Sequence, residues 1–367
     1  MAPLPPPDAQ VQTRDGVTPP FMRDRQIVRV GLLLPFSMRP QDAAALYSAA
    51  ELALFDHGGP NTLLIPRDAG ATEASANAAA RALVNDGADI IIGPVTREGV
   101  AGAGAAVQRE NIPVIGFSSD RTIGGAGIYL LSFQLEDEIS RIVSYAASQN
   151  IRTIALLAPA NEYGRRVEES LRAEARLHGV TITQARLYSR SDAEAGTAAT
   201  ALAAALRTTP TQGLLIAESG APLRAVGTAL VQAGLDARQV RLMGTSAWQG
   251  DAQREPALAG GWFVSPEPAA RTDFERRYQS TFSREPTRLA SLAYDAVALA
   301  ALLSRDAGAS GFSRPRLENG EGFAGADGLF RFRANGAIER GLAIIQVGQN
   351  TTNVLDPAPR QFSRGGS

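Results

Sequence analysis

The chain has 367 residues, 36 basic residues that are all Arg, 37 acidic residues, a net charge of -1 and no Cys. That length suits about two domains, and balanced charge excludes a general nucleic-acid binder, which needs a cationic surplus to displace counterions. Without Cys there is no disulfide, thiolate metal site or thiol nucleophile, and without Lys there is no Walker A loop, Schiff base or Ser–Lys dyad.

Residues 1–26 carry six prolines in the first 20 positions and no apolar leader near Met1. They read as an extended tether that cannot pack a core. Alternation begins at Ile27–Leu34, a strand, followed by a helix over Asp42–His57. Short strands at Thr62–Ile65, Asp89–Ile92, Pro113–Gly116 and Ile128–Phe133 are separated by helices from Thr72 and Thr96. Continuous apolar runs divided by helices are the pattern of parallel strands buried on both faces. The pattern then restarts with Thr153–Ala158, Val180–Leu187, Gly213–Ala217, Val240–Met243 and Gly261–Val264. Helices follow at Thr272–Phe282 and Leu289–Arg305. Asn335-Gly336, between LFRF and LAIIQV, predicts a closing antiparallel hairpin. The fold class is α/β, with two doubly wound parallel-sheet lobes.

Catalytic constellations are missing. His57 and His178 each precede a glycine at a helix end, where the helix dipole favours them. No G-x-S-x-G or His-Glu-x-x-His occurs, so no enzymatic activity and no cofactor or metal is expected. Gly99, Gly102 and Gly104 fall inside a helix and read as close packing against the sheet rather than a phosphate-cradling turn.

In open α/β sheets ligands bind beyond the carboxyl ends of strands. Those ends carry Phe36, Thr96 and Arg97, Ser118 and Ser119, and Phe133 in the first half. In the second half they carry Glu162 and Tyr163, Glu218 and Ser219, and Thr245 and Ser246. Facing one another, the two sets would line a cleft.

Three stretches resemble the type I periplasmic binding proteins, of the Leu/Ile/Val-binding kind. They are IIGPVTREGVAGAGAAVQRENIPVIGFSSD, ALLAPANEYGRRVEESLRAEARLHGVTI, and FERRYQSTFSREPTRLASLAYDAVALAALL with Tyr294-Asp295-Ala296. The resemblance covers about Ile27 to Val354. It implies two lobes joined by a three-crossover hinge that close on a ligand. The expected division is 27–132 with 267–320 in lobe one, 133–266 with 321–356 in lobe two, and a flexible tail at 357–367. It further implies that Ser118 and Ser119 hold a ligand carboxylate, that Tyr163 packs on the ligand and that an acidic residue of the second lobe pairs an ammonium; the matching strand end reads Thr245-Ser246-Ala247, with no acid, and Glu218 is the substitute for that role. The ending GLFRFRANGAIERGLAIIQV, with Ile338-Glu339-Arg340-Gly341-Leu342, resembles penicillin-binding-protein activators of the LpoA type. Two functions follow from these resemblances. The first is a noncatalytic periplasmic regulator of a peptidoglycan synthase, partnered by a penicillin-binding protein and lipid-anchored to the outer membrane. The alternative is the substrate-binding protein of an ABC permease, for an amino acid or related small polar solute.

Overall fold

The computed structural model describes residues 27–362 apart from 60, 190 and 267, so the tether expected at 1–26 lies outside the described residues. In chain order the elements are β1 (Val28–Leu34), α1 (Pro40–His57), β2 (Thr62–Asp68), α2 (Glu73–Asn85), β3 (Ile90–Ile92), α3 (Arg97–Val107), β4 (Val114–Gly116) and β5 (Ile128–Leu130). Next come α4 (Leu135–Ser148), β6 (Thr153–Pro159), α5 (Glu162–His178), β7 (Thr181–Tyr188), α6 (Asp192–Leu206), β8 (Gly213–Ile216), α7 (Gly220–Gln232), β9 (Arg241–Gly244) and β10 (Trp262–Ser265). The chain ends with α8 (Pro268–Phe282), α9 (Ala290–Ser304), β11 (Phe323–Gly325), β12 (Gly328–Phe332), β13 (Ile338–Arg340), β14 (Ala343–Val347) and β15 (Thr352–Asp356). No helix among the described residues is long and apolar enough to cross a membrane.

Two compact units result. The first holds the described residues up to Phe133, Ala269–Glu339 and those from Gln361 on; the second holds Gln134–Pro268 and Arg340–Arg360. In the first, five parallel strands run in the order β2-β1-β3-β4-β5. Successive residues of a strand point to opposite faces, and burial follows that rule. Val30, Leu32 and Leu34 pack in one cluster with residues of α1 and α9, whereas Leu33 and Ile91 pack in another with residues of α2 and α3. Both faces are therefore apolar, and the strands read as unbroken hydrophobic runs. The second unit repeats the design in the order β15-β14-β10-β9-β8-β6-β7. Ala155, Leu157, Leu214 and Ile216 face α6 and α7, while Ile154, Leu156 and Leu215 face α4 and α5.

Helix starts follow local chemistry. The Thr72 hydroxyl accepts from the Ser75 amide at 3.1 Å and the Thr96 hydroxyl from the Gly99 amide at 3.1 Å, each satisfying an amide that the helix itself leaves unpaired. The glycines of α3 serve close approach in two directions. A Cβ on Gly102 would lie 2.2 Å from the Glu73 carbonyl oxygen of α2, and one on Gly104 would lie 2.3 Å from Ile128 Cδ1 of β5. Gly104 thus packs on the sheet, while Gly102 lets two helices touch.

Three expectations change at the C-terminal end. The hairpin around Asn335-Gly336 joins β12 to the short β13, not to the LAIIQV run. The Arg333 amide bonds the Ala337 carbonyl at 2.8 Å and β13 stops at Arg340. LAIIQV becomes β14, antiparallel to β10 and β15 in the second unit. Residues 321–339, expected in lobe two, belong to the first unit, because Phe323, Phe330, Phe332 and Ile338 are buried in its core. The expected flexible tail is in part packed: Phe362 is 9% exposed, with the Arg331 guanidinium 4.3 Å above its ring, a cation–π contact.

Candidate functional site

In each sheet the chain leaves the first strand in opposite directions, to β2 and β3 in one unit and to β7 and β8 in the other. That reversal opens a crevice at the carboxyl ends of the two strands that flank it. In the first unit, Phe36 follows β1 and packs edge-on against Tyr47, with ring centroids 6.3 Å apart. Thr96 and Arg97 follow β3 and open α3. Ser118, buried, and Ser119, exposed, follow β4. Phe133 follows β5 and carries the Arg288 guanidinium 4.4 Å above its ring.

Asp120 is tied down beside these serines. It accepts from the Thr122 hydroxyl at 2.7 Å and the Thr122 amide at 2.9 Å, and it pairs with Arg97 at 2.6 Å. Those Thr122 bonds, with Arg97 behind them, hold its carboxyl below the usual carboxylate range. The Ser118 hydroxyl accepts from the Asp120 amide at 3.2 Å. Arg97, Ser118 and Asp120 therefore form one connected loop, and the Thr96 hydroxyl is spent on capping.

The second unit brings more of its expected residues together. The Tyr163 hydroxyl, on the first turn of α5, lies 2.8 Å from the Thr245 hydroxyl beyond β9. Ser246 donates its hydroxyl to Glu138 Oε1 at 2.6 Å and its amide to Glu138 Oε2 at 2.9 Å. Thr245, Ser246 and Glu138 are 1%, 7% and 7% exposed. Behind them Gly244 lies flat on Trp248, for a Cβ there would fall 2.2 Å from the indole. The indole Nε1 donates to the Ile216 carbonyl at 3.1 Å, which locks the β8 and β9 ends in register. Glu218, buried, accepts from the Ser219 amide at 3.2 Å. Ser219 occupies the N-cap of α7 without a side-chain cap bond. Asp251 instead accepts the Gly220 amide at 2.8 Å. Glu162 is exposed at the start of α5, and Asn161 caps that helix by accepting the Gly164 amide at 3.0 Å.

Glu138 is the residue that sequence reasoning missed. With Glu136 and Asp137 it passes for ordinary negative charge at a helix N-terminus. Its neighbours differ: Glu136 pairs with Arg166 at 2.8 Å, whereas Glu138 falls on the buried stripe Leu135, Ile139 and Ile142. A carboxylate on the apolar stripe of an amphipathic helix was the available signal. Among the described residues no group of three His, Asp or Glu could hold a metal ion.

Residues 27–352 match the periplasmic binding protein family model. The chain belongs to that family, and the family implies a periplasmic location. No curated protein matches in sequence. Solved structures share the fold at low identity. One, assigned to a branched-chain amino acid ABC transporter from Rhodospirillum rubrum, has 17% identity and a TM-score of 0.79 over 90% of this chain and 100% of that one. The substrate-binding protein LivJ of Streptococcus pneumoniae, in complex with isoleucine, has 18% identity and a TM-score of 0.59 over 90% and 100%. A solute-binding protein of Rhodopseudomonas palustris, in complex with 3,4-dihydroxybenzoic acid, has 16% identity and a TM-score of 0.63 over 92% and 99%.

Proposed function

We propose that the protein is a noncatalytic solute receptor that delivers a small polar ligand, an amino acid or related solute, to an ABC permease. The observation that carries this reading is the ordered polar set of the second unit: Tyr163 bonded to Thr245, and Ser246 bonded twice to Glu138. Hydroxyls held by fixed partners at strand ends can recognise a ligand without reorganising. Glu138 and Glu218, both buried, give that end of the unit an acidic character that favours a ligand carrying donor groups. The first unit offers Ser118, Ser119 and Arg97, which suit a carboxylate. The similar structures named above, which come from ABC transporters and include a substrate-binding and a solute-binding protein, favour this reading over activation of a peptidoglycan synthase. The segment Ile338-Glu339-Arg340-Gly341-Leu342, which suggested an activator, has a structural use. Glu339 pairs with buried Arg331 at 2.8 Å where the chain passes from one unit to the other.

Native mass spectrometry of freshly purified protein, set against the denatured mass, tests the proposal. A small solute retained under gentle conditions, and lost in Tyr163→Phe and Ser118→Ala variants, supports it. Co-purification of a penicillin-binding protein with no affinity for any solute would overturn it.

A further inference from the structure

Two adjoining cavities of the first unit lie away from the strand-end loops. The larger, about 750 Å3, is bounded by Val28 and Thr62, where β1 and β2 begin, so it sits at the opposite end of the sheet from Ser118. The smaller, about 320 Å3, is a slot along α9, and the two share His57 and Arg305. Asp295, Ala298, Leu302 and Arg305 all line the slot. Their spacing of three and four residues places them on one helix face, running about 15 Å from Asp295 to Arg305 at the helical rise. Phe274, Phe323 and Phe330 form the remaining wall. The slot is therefore mostly apolar and aromatic, with the buried Asp295 at one end and the exposed Asp273, Arg277 and Arg305 on its edge.

Nearly every charge on that edge has an internal partner. Arg277 pairs with Asp56, and Asp273 lies 2.9 Å from Arg276. Asp295 accepts the Ala326 amide at 2.6 Å. The Tyr294 hydroxyl donates to Asp56 at 2.7 Å and lies 3.0 Å from His57 Nε2. Because that hydroxyl's proton goes to Asp56, the His57 nitrogen is the donor, and this fixes the ring's proton on Nε2. Arg305 is the exception. Among the described residues its guanidinium has no hydrogen-bond or ion-pair partner, and it stands exposed at the mouth beside Leu302, itself 49% exposed. Asp306 lines the larger cavity but not the slot.

We propose that this slot is a second ligand site, separate from the strand-end loops, for an amphiphilic monocarboxylate. The carboxylate pairs with Arg305 at the mouth, in the planar two-bond geometry that a guanidinium offers. An arene or branched alkyl body fills the slot against Phe274, Leu299 and Phe323, removing apolar surface from water. The volume falls within the range of small-molecule sites. One unpaired cation calls for one negative charge. Asp273 and Asp295, further along the slot, disfavour a second, so a dicarboxylate or a phosphorylated ligand fits less well.

The probe is 4-phenylbutanoate, with 4-phenylbutan-1-ol as the uncharged control, each titrated into the full chain by calorimetry. The carboxylate is expected to bind more tightly than the alcohol. Arg305→Gln should weaken the carboxylate roughly tenfold or more, as for loss of a charged hydrogen-bonded pair, and leave the alcohol unchanged. Arg305 is exposed and makes no internal bond, so this variant keeps its fold, which a melting curve verifies. Ala298→Trp, which fills the slot, should abolish both. Tyr163→Phe and Ser118→Ala should affect neither, which separates this site from the strand-end one. No binding at millimolar probe, an affinity indifferent to Arg305→Gln, or a loss caused by Tyr163→Phe instead would each overturn the proposal.

Discussion

Replacing Ser246 by Ala removes the 2.6 Å bond to Glu138 Oε1 and keeps the Ser246 amide bond to Oε2. Both residues are 7% exposed, so water does not readily replace the lost donor. A hydrogen bond to a charged group contributes about 1.5–3 kcal/mol net, and a buried acceptor left short of a partner costs a similar amount. Ser246→Ala should therefore destabilise the second unit by about 2 kcal/mol. Glu138→Gln should cost a comparable amount, and the double variant should show a coupling of at least about 1 kcal/mol. The assay is urea unfolding followed by tryptophan fluorescence. The only two tryptophans, Trp248 and Trp262, lie in the core of the second unit, so the signal reports that unit. This matters because a chain of two units need not unfold in one step. Additive losses, with coupling below about 0.5 kcal/mol, would refute the reading of Ser246 and Glu138 as one bonded unit.

Other outcomes follow from the geometry. Asp327 is 1% exposed and pairs with Arg271 at 2.9 Å. Asp327→Ala leaves the Arg271 guanidinium with Glu275 and Ser291 as its remaining partners and should cost about 1.5–3 kcal/mol, as for loss of one charged hydrogen bond, read by calorimetric melting as a loss confined to the first unit. Gly102→Ala drives a methyl against the Glu73 carbonyl oxygen and should cost about 1–3 kcal/mol by urea denaturation. Asp120, whose Thr122 bonds and Arg97 partner lower its folded pKa, contributes stability above its unfolded pKa near 4 that is lost as pH falls through the folded value. Wild type should therefore exceed Asp120→Asn in stability at pH 7, with the gap closing in acid. An unchanged gap would show that ionised Asp120 is not the source.

The parallel strands were legible because both faces of each sheet are buried, so apolar runs such as Ile90–Ile92 stand out between helices. The caps at Thr72 and Thr96 were legible because they act within three residues. What escaped was set by distant partners. Glu138 meets Ser246 across 108 positions, and no local pattern names that partner. The Asn335-Gly336 turn announced a hairpin, but where its second strand ends depends on Glu339 bonding Arg331 and on β14 leaving to pair with β10. Phe362 read as tail because its partner, Arg331, lies far back in the sequence.

The receptor account is tested most directly by thermal denaturation of the wild type and a Ser118→Ala/Tyr163→Phe variant against a panel of amino acids and related small polar solutes. A solute at a hundred times its Kd should raise the wild-type Tm by roughly 5 °C and leave the variant's unchanged. A panel in which no solute moves the wild-type Tm, or one that stabilises both proteins equally, would contradict the account.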